Sequence, residues 1–243
     1  MTTFFVTGTS TDVGKTFVSC ALLARARDHG LTTLGLKPVA SGCHATPQGL
    51  RNADALALQT QCHPGLPYER INPVAFAPPI APHLAARQVG QEITLDTLTR
   101  ALAPALAEPR DLTLIEGAGG WRVPLNDKED LAGLATRLAL PVILVVGLEL
   151  GCLNQARLTA EAIRADGLPL AGWVGNLRDV DFAADETIYR ANLATLEQHL
   201  PGPCLGVMPR LDAGGPEALA RTGASHLRLP SHLPSRLPQK DTP

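Results

Sequence analysis

The residues best suited to chemistry stand near the N-terminus, where an apolar stretch leads into a glycine-bounded loop that ends in Gly14-Lys15-Thr16. The apolar stretch predicts a strand, and the apolar spacing after Thr16 predicts a helix. At such a junction, free backbone N–H groups and the positive end of the helix dipole face the loop and favour a bound phosphate. The lysine can neutralise phosphate charge and the threonine hydroxyl can hold Mg²⁺, so the pattern predicts a P-loop.

The glycine spacing of this loop departs from the common pattern G-x-x-x-x-G-K-S/T. Thr9 stands where the first glycine is expected, and the glycine occurs one residue earlier, at Gly8. The loop is therefore one residue longer than the common form. This difference argues against the ordinary signalling GTPases and motor ATPases, and it favours a variant branch of P-loop proteins.

Two further groups of polar residues follow apolar stretches. Glu116 closes one stretch and precedes the glycine-rich residues 117–120, and an acid at this place reaches Mg²⁺ in P-loop enzymes. Lys37 closes another, so its charge must face a cleft, a partner or solvent. The pattern alone leaves open whether Lys37 is a second cation beside the phosphates. Pro38 delays any following helix and keeps Ser41 in a loop.

Three other positions carry weaker signals. Asp54 lies in the first turn of a predicted helix, where an acid commonly matches the helix dipole. Residues 151–154 lead from a strand into a helix, which is an ordinary turn unless the helix N-terminus binds an anion. Asn176 follows a predicted strand in a segment faintly similar to the guanine-binding sequence N-K-x-D, with Leu177 in place of the lysine. This segment alone does not decide which base is bound.

Composition excludes several classes of protein. The 243 residues carry a net charge of -2 with no long basic run, which argues against nucleic acid as a partner. The longest apolar stretch, residues 138–148, contains Pro141 and is too short to cross a bilayer. The N-terminus lacks the pattern of a signal peptide, and the five cysteines form no C-x-x-C pair. We expect a soluble cytoplasmic protein with no membrane partner.

Apolar stretches alternate with helical ones along the chain, which predicts an α/β fold: a single-domain, doubly wound, mostly parallel sheet with helices on both faces. The predicted strands are residues 3–7, 33–37, 112–116, 142–147, 170–174 and 204–208. The predicted helices are residues 15–29, 52–60, 82–88, 95–106, 131–138, 154–165 and 185–199. Ligands of such sheets bind beyond the carboxyl ends of the strands, where the polar groups above lie. We assign residues 1–228 to this domain and 229–243, with four prolines, to a flexible tail.

Taken together, these motifs resemble the dethiobiotin synthetase family over roughly residues 3–212. The similar blocks occur in the family's order, and they are residues 6–9 with 13–16, 37–42, 49–56, 74–76 with 82–83, 116–121, 140–147, 150–154 and 171–174. Such a series of blocks is far more specific than a P-loop alone.

The resemblance implies a homodimer that joins 7,8-diaminopelargonic acid to CO₂ using ATP and Mg²⁺. One amine of the substrate captures CO₂ as a carbamate, and ATP phosphorylates the carbamate. The second amine then displaces phosphate and closes the ureido ring, giving dethiobiotin, ADP and phosphate. Lys37 and Lys15 are the implied catalytic residues, because negative charge gathers beside the carbamate and the γ-phosphoryl group.

The resemblance also implies binding roles. The implied magnesium ligands are Thr16, Asp54 and Glu116. The implied nucleotide contacts are Asp12, Val13, Gly14, Lys15, Thr16, Phe17, Asp54, Glu116, Gly117, Ala118, Gly119, Asn176, Met208, Pro209 and Arg210. The implied substrate contacts are Thr11 and Ser41, together with a group across the dimer interface that holds the substrate carboxylate: Gly151, Cys152, Leu153, Asn154 and Tyr189.

Two departures from the family pattern leave the preference among ATP, GTP and CTP open. Asp12 replaces a frequent glutamate, and Arg210 replaces a frequent tryptophan near the base.

Two rival interpretations of the sequence are weaker. A cobyric acid synthase-like amidotransferase would need a glutaminase domain that this length does not accommodate. A P-loop switch of the partition type usually carries an early loop lysine, as in K-G-G-x-G-K-T, and residues 8–13 contain none.

Overall fold

The computed structural model describes residues 2–211 and 215–231. Its strands are β1 (Thr2–Gly8), β2 (Thr33–Leu36), β3 (Val39–Ala40), β4 (His44–Thr46), β5 (Gly49–Arg51), β6 (Val74–Ala75), β7 (Leu112–Glu116), β8 (Val142–Leu148), β9 (Leu170–Leu177) and β10 (Cys204–Met208). Its α-helices are α1 (Lys15–Asp28), α2 (Ala53–Thr60), α3 (Tyr68–Ile71), α4 (Pro82–Gln88), α5 (Leu95–Leu106), α6 (Ala132–Arg137), α7 (Cys152–Ala165), α8 (Glu186–His199) and α9 (Pro216–Ala224). A 3₁₀-helix covers Asp181–Ala183.

A six-stranded sheet with the order β10-β9-β8-β1-β7-β2 organises the molecule. Each neighbouring pair in it is parallel. After β1 the chain crosses to β2 at one edge, returns through β7, and then passes to the other side of β1 at β8. The strand order therefore reverses beside β1, and ligands of open α/β sheets bind at the carboxyl end of such a switch point.

Strand β8 shows why helices cover both faces of the sheet. Ile143 and Val145 belong to one apolar cluster, together with buried residues of α1. Leu144 and Val146 belong to a second cluster, together with buried residues of α7 and α8. A parallel strand that is buried on both faces needs a helical layer on each side. The predicted doubly wound α/β fold is confirmed.

Every strand and helix that the sequence predicts is present, with small changes at the ends. The largest change is in β9, which extends to Leu177 because it continues to pair with β8 and β10. Asn176 thus lies inside a strand, and the expectation that it follows the strand was wrong. Helix α7 begins at Cys152, two residues before the predicted start at residue 154.

Most of the elements that were not predicted are short. They are α3, α9, the 3₁₀-helix, the β4–β5 hairpin and the β3–β6 pair. Strands of two or three residues and a four-residue helix are too short to show a periodicity. For α9 a signal was present, because Pro216 stands at its first position.

The first residues of the predicted tail lie within the described part of the chain. Leu229 packs against the main apolar cluster, and Pro230 is buried. The rest of the predicted tail, residues 232–243, lies outside the described residues. Within the described ranges, no helix has both the length and the apolar content needed to cross a membrane.

Candidate active site

The P-loop connects β1 to α1 and depends on backbone with positive φ. Asp12 has φ 57° and Gly14 has φ 90°. Gly14 is also the N-cap of α1, which has no side-chain cap, so the first N–H groups of the helix are available to an anion. A Cβ atom at Gly14 would lie 2.2 Å from Nδ2 of Asn176, so only glycine fits there.

Lys15 is buried beside this loop, and its Nζ donates to the carbonyl of Ser10 at 3.0 Å. Burial, assisted by the nearby charge of Lys37, lowers the pKa of Lys15 from 10.5 to about 8. Between about pH 8 and 10.5, Lys15 therefore binds fewer protons in the folded protein than in the unfolded chain. The free energy of unfolding consequently rises with pH over this range. An anion bound in the loop would raise the pKa again.

We therefore expect nucleotide binding to take up protons. Near pH 8 Lys15 is about half protonated, so ADP should draw in about half a proton per site, and more at pH 9. Calorimetric titration with ADP and EDTA, in buffers of different ionisation enthalpy, measures this uptake. The phosphates of ADP are fully ionised over this range and contribute nothing. Binding without proton uptake at pH 9 would contradict this role of Lys15.

An ion cluster lies beside the loop, where β2 and β7 end. Leu36 pairs with Ile115, so the next residues, Lys37 and Glu116, meet at the edge of the sheet. Lys37 Nζ lies 2.7 Å from Glu116 Oε1 and 3.2 Å from Asp54 Oδ2. The same ammonium group donates to the carbonyl of Gly117 at 3.2 Å.

Lys37 and Asp54 each favour the charged form of the other. Burial alone would lower the pKa of Lys37, but the charges of Glu116 and Asp54 outweigh it and raise the pKa. Burial would likewise raise the pKa of Asp54, but Lys37 outweighs it and the pKa falls. Lys37 is 4% exposed and Glu116 is fully buried, so neither charge is stable there without the other.

The cluster also fits a magnesium ion. Thr16 Oγ1 donates to Glu116 Oε1 at 2.7 Å, and Asp54 is half exposed to the cleft. Glu116 Oε2 is buried, and no donor in the described part of the chain reaches it. Thr16, Asp54 and Glu116 thus offer only oxygen atoms, which Mg²⁺ prefers, so these three residues would hold the ion.

Thr16, Lys37 and Asp54 line one cleft of about 1130 Å³, and Glu116 lies buried against Thr16 and Lys37. Ligand pockets commonly measure about 300–1,000 Å³, so this cleft can hold a nucleotide and a small substrate together. Its lining consists of residues 9–12, 14–17, 79–82, 118–120 and 122–124, with Lys37, Ala40, Ser41, Asn52, Asp54 and Arg178.

Most of the residues that were predicted to bind the phosphates, the metal or the reacting part of the substrate lie together in this cleft. The lining includes Thr11, Asp12, Gly14, Lys15, Thr16, Phe17, Lys37, Ser41, Asp54, Ala118 and Gly119. Val13 and Glu116 are buried, and Gly117 contributes its carbonyl to Lys37.

The predicted base contacts occupy different surroundings. Asn176 is buried, and its Nδ2 donates to the carbonyl of Val13 at 2.8 Å, so it supports the P-loop in this structure. Met208 is fully buried, and its methyl group lies against Gly223 of α9. Pro209 and Arg210 follow β10 towards the surface. Their contact with a base stays a prediction.

The predicted substrate group around α7 does not line this cleft. Gly151 is the N-cap of α7 with φ 98°, and Cys152, Leu153 and Asn154 form the first helical turn. Tyr189 lies on α8, where its ring meets the ring of Phe182 at 6.2 Å. Within a single chain these residues are therefore separate from the P-loop cleft.

Several lining residues were not predicted from the sequence, and three of them, Asn52, Arg122 and Arg178, have amide or guanidinium side chains. Asn52 precedes α2 and caps it. Arg178 follows β9, and its side chain packs over Gly147. Arg122 pairs with Asp130 and Asp166 at the far side of the glycine-rich turn. Arg178 follows the end of a parallel strand, and this position was the available signal.

Comparison with known proteins agrees with this geometry. A family model described as an AAA domain matches residues 2–218. Over 234 residues the chain is 69% identical to a Chromohalobacter salexigens protein named ATP-dependent dethiobiotin synthetase BioD, with 95% of this chain and 99% of the relative covered. A Pseudomonas aeruginosa protein of the same name is 57% identical, with 94% and 97% covered.

Solved structures resemble the fold at low sequence identity. The MinC:MinD cell division protein complex of Aquifex aeolicus includes a chain with TM-score 0.54 and 14% identity, with 92% of this chain and 86% of that chain covered. This likeness shows the architecture alone. The family model and the high identity over nearly the whole chain show that the protein belongs to the ATP-dependent dethiobiotin synthetase family.

Proposed function

We propose that this protein is a dethiobiotin synthetase, a ligase of biotin biosynthesis. It joins 7,8-diaminopelargonic acid to CO₂ with ATP and Mg²⁺, and it releases dethiobiotin, ADP and phosphate. The observation that carries this proposal is the convergence of Lys15, Lys37 and Asp54 on one P-loop cleft, with Glu116 buried against Lys37, in a chain 69% identical to a protein of that name.

Each residue has a role that its position supports. The N–H groups at the start of α1 and the Lys15 ammonium hold the phosphates. Lys37 stabilises the negative charge of the carbamate and of the transferred phosphoryl group, which is the main protein contribution to such transfers. Thr16, Asp54 and Glu116 hold Mg²⁺, which neutralises phosphate charge when bound. Thr11 and Ser41 contact the substrate from the loops around it.

We infer that the enzyme is a homodimer. Four apolar residues on or near α7 and α8 are more than half exposed, namely Leu150, Leu158, Val180 and Ile188. An exposed apolar patch of this kind is typical of a protein interface. Gly151–Asn154 and Tyr189 lie beside it, so a second copy would bring them to the cleft of its partner, where the helix N-terminus holds the substrate carboxylate.

Replacing Ile188 with aspartate should dissociate this dimer. A charge placed in an apolar interface is costly, so we expect the dimer dissociation constant to rise by about 100-fold or more. Sedimentation velocity measures the change, and activity at low protein concentration should fall with the fraction of dimer. Val89→Asp is the matched control, because Val89 is 56% exposed, close to the 59% of Ile188, but is the C-cap residue of α4. A fully active monomer would contradict the shared site.

We also propose that the enzyme works in the cytoplasm, with no nucleic acid or membrane partner. All five cysteines are free thiols, as expected in a reducing compartment. The preference for ATP over GTP or CTP is proposed from the names of the relatives.

Phosphate release tests the activity most directly. The protein is incubated with ATP, Mg²⁺ and bicarbonate, with and without diaminopelargonate, and dethiobiotin is identified by mass spectrometry. We expect phosphate and dethiobiotin in equal amounts, and only when the diamine is present. Phosphate release that is indifferent to the diamine would instead favour a nucleotide switch.

A further inference from the structure

A chain of buried hydrogen bonds joins the backbone at Lys37 to the start of helix α2. Asn72 Nδ2 donates to the carbonyl of Lys37 at 2.8 Å, and the Tyr68 hydroxyl donates to Asn72 Oδ1 at 3.0 Å. The same hydroxyl accepts from the backbone N–H of Asn52 at 2.7 Å. Asn52, Tyr68 and Asn72 are at most 8% exposed, so each of these bonds is protected from water.

One end of this chain fixes Lys37. Strand β2 ends at Leu36, and Pro38 has no N–H with which to continue the ladder. The N–H of Lys37 donates to the carbonyl of Ile71 at 2.8 Å, and its carbonyl accepts from Asn72. The short helix α3 and the residue after it therefore set the position of the Lys37 backbone.

The other end fixes Asp54. Asn52 is the N-cap of α2, and its Oδ1 accepts from the N–H of Ala55 at 3.2 Å. The first turn of this helix carries Asp54, which reaches the Lys37 ammonium group at 3.2 Å. The Tyr68 hydroxyl thus lies between the backbone of the lysine and the helix that carries the carboxylate.

We propose that Tyr68 and Asn72 are positioning residues that set the distance between Lys37 and Asp54, and through it the geometry for the metal and the phosphoryl group. This inference rests on the proposed roles of Lys37 and Asp54. Tyr68 itself is held in place, because the Arg51 guanidinium stacks over its ring at 4.2 Å. The Tyr68 hydroxyl bonds to the side chain of Asn72 and to the backbone N–H of Asn52 at once. Loss of that single oxygen therefore disconnects the backbone of Lys37 from the start of α2.

Tyr68→Phe tests the proposal. Residues that orient a metal ligand commonly change metal affinity or activity by about 10- to 100-fold when replaced, so we expect the Mg²⁺ concentration for half-maximal velocity to rise about 10-fold. ADP affinity in EDTA should stay within about twofold, because the P-loop makes no bond to Tyr68. Asn72→Asp, which retains the acceptor for Tyr68 but loses the donor to Lys37, should show the same pattern.

Glu69→Gln is the matched control. Glu69 follows Tyr68 in α3 and pairs with Arg51 at 2.7 Å. It takes no part in the series of buried hydrogen bonds from Lys37 to Asn52, so we expect the magnesium dependence of the wild type. Unchanged magnesium dependence in Tyr68→Phe, with Lys37→Ala inactive, would overturn the inference and leave the proposed function intact. An equal loss of ADP affinity in EDTA would show general loosening and would also overturn it. An active Lys37→Ala variant would instead remove the proposed catalytic role.

Discussion

Lys37→Ala is expected to lower kcat by about 100- to 1,000-fold, the usual effect of removing one group that stabilises transition-state charge. Lys37 is the buried cation nearest to Glu116 and Asp54, and no other lysine or arginine is paired with either carboxylate among the described residues. Single-turnover measurement of ADP formation with saturating diamine and bicarbonate checks the prediction, because it separates chemistry from product release.

The same substitution should also destabilise the protein without ligands. From the sequence alone, with Lys37 at a strand exit beside the P-loop, we expect the fold to remain intact. The structure changes that expectation, because removal of Lys37 leaves the fully buried Glu116 without its cation. Breaking a buried pair costs about 3–5 kcal/mol. Urea unfolding in EDTA measures the loss, and Mg²⁺ should recover part of it.

Lys128→Ala is the control for both measurements. Lys128 is exposed on the loop before α6, and its removal should change neither kcat nor the free energy of unfolding beyond about 0.5 kcal/mol. If Lys37→Ala turned over at a rate near that of Lys128→Ala, Lys37 would have no part in the phosphoryl transfer.

Gly14→Ala is expected to abolish nucleotide binding, with a loss of affinity of about 100-fold or more. Alanine at φ 90° is strained, and its Cβ would collide with Nδ2 of Asn176 at 2.2 Å. Relief of the collision requires the P-loop to move or the Asn176 amide to give up its hydrogen bond to the carbonyl of Val13, and either change disturbs the loop whose N–H groups hold the phosphates. Calorimetric titration with ADP and ATP measures the loss.

The variant Gly30→Ala separates the effect of backbone strain from the effect of the steric collision in Gly14→Ala. Gly30 has φ 72°, and a Cβ there would meet no atom within 4 Å. This variant should lose only about 1 kcal/mol of stability, the usual cost of a left-handed backbone for alanine, and should bind nucleotide normally. Equal losses of affinity in the two variants would mean that the contact with Asn176 has no role in shaping the loop.

Much of the site could be predicted because it follows from local rules. A lysine and a glutamate that close parallel strands must lie at one edge of the sheet, so Lys37 and Glu116 were expected near the P-loop. Asp54 alone resembled an ordinary acid in a first helical turn, and only the family resemblance assigned it to the metal. Its contact with Lys37, 17 residues away, shows why the pattern was insufficient.

The misplaced and missed features depend on distant parts of the chain. Asn176 was expected in a loop because the apolar stretch ends before it, yet pairing with β8 and β10 extends the strand past it. Arg122 meets Asp166 across 44 residues. Tyr68 was not recognised, because its bond to Asn52 spans 16 residues and its neighbour Asn72 reaches Lys37 across 35.

The amino-acid sequence by itself determined the P-loop, the alternation of strands and helices, and the family. Each of these depends on residues a few positions apart, whose backbone preferences and apolar spacing act locally. Only the tertiary structure decided that Lys37 is locked between two carboxylates, that Asn176 lies under Gly14, and that Tyr68 links α2 to the end of β2. Those contacts join residues 16 to 163 positions apart, and strand register and helix packing bring them together.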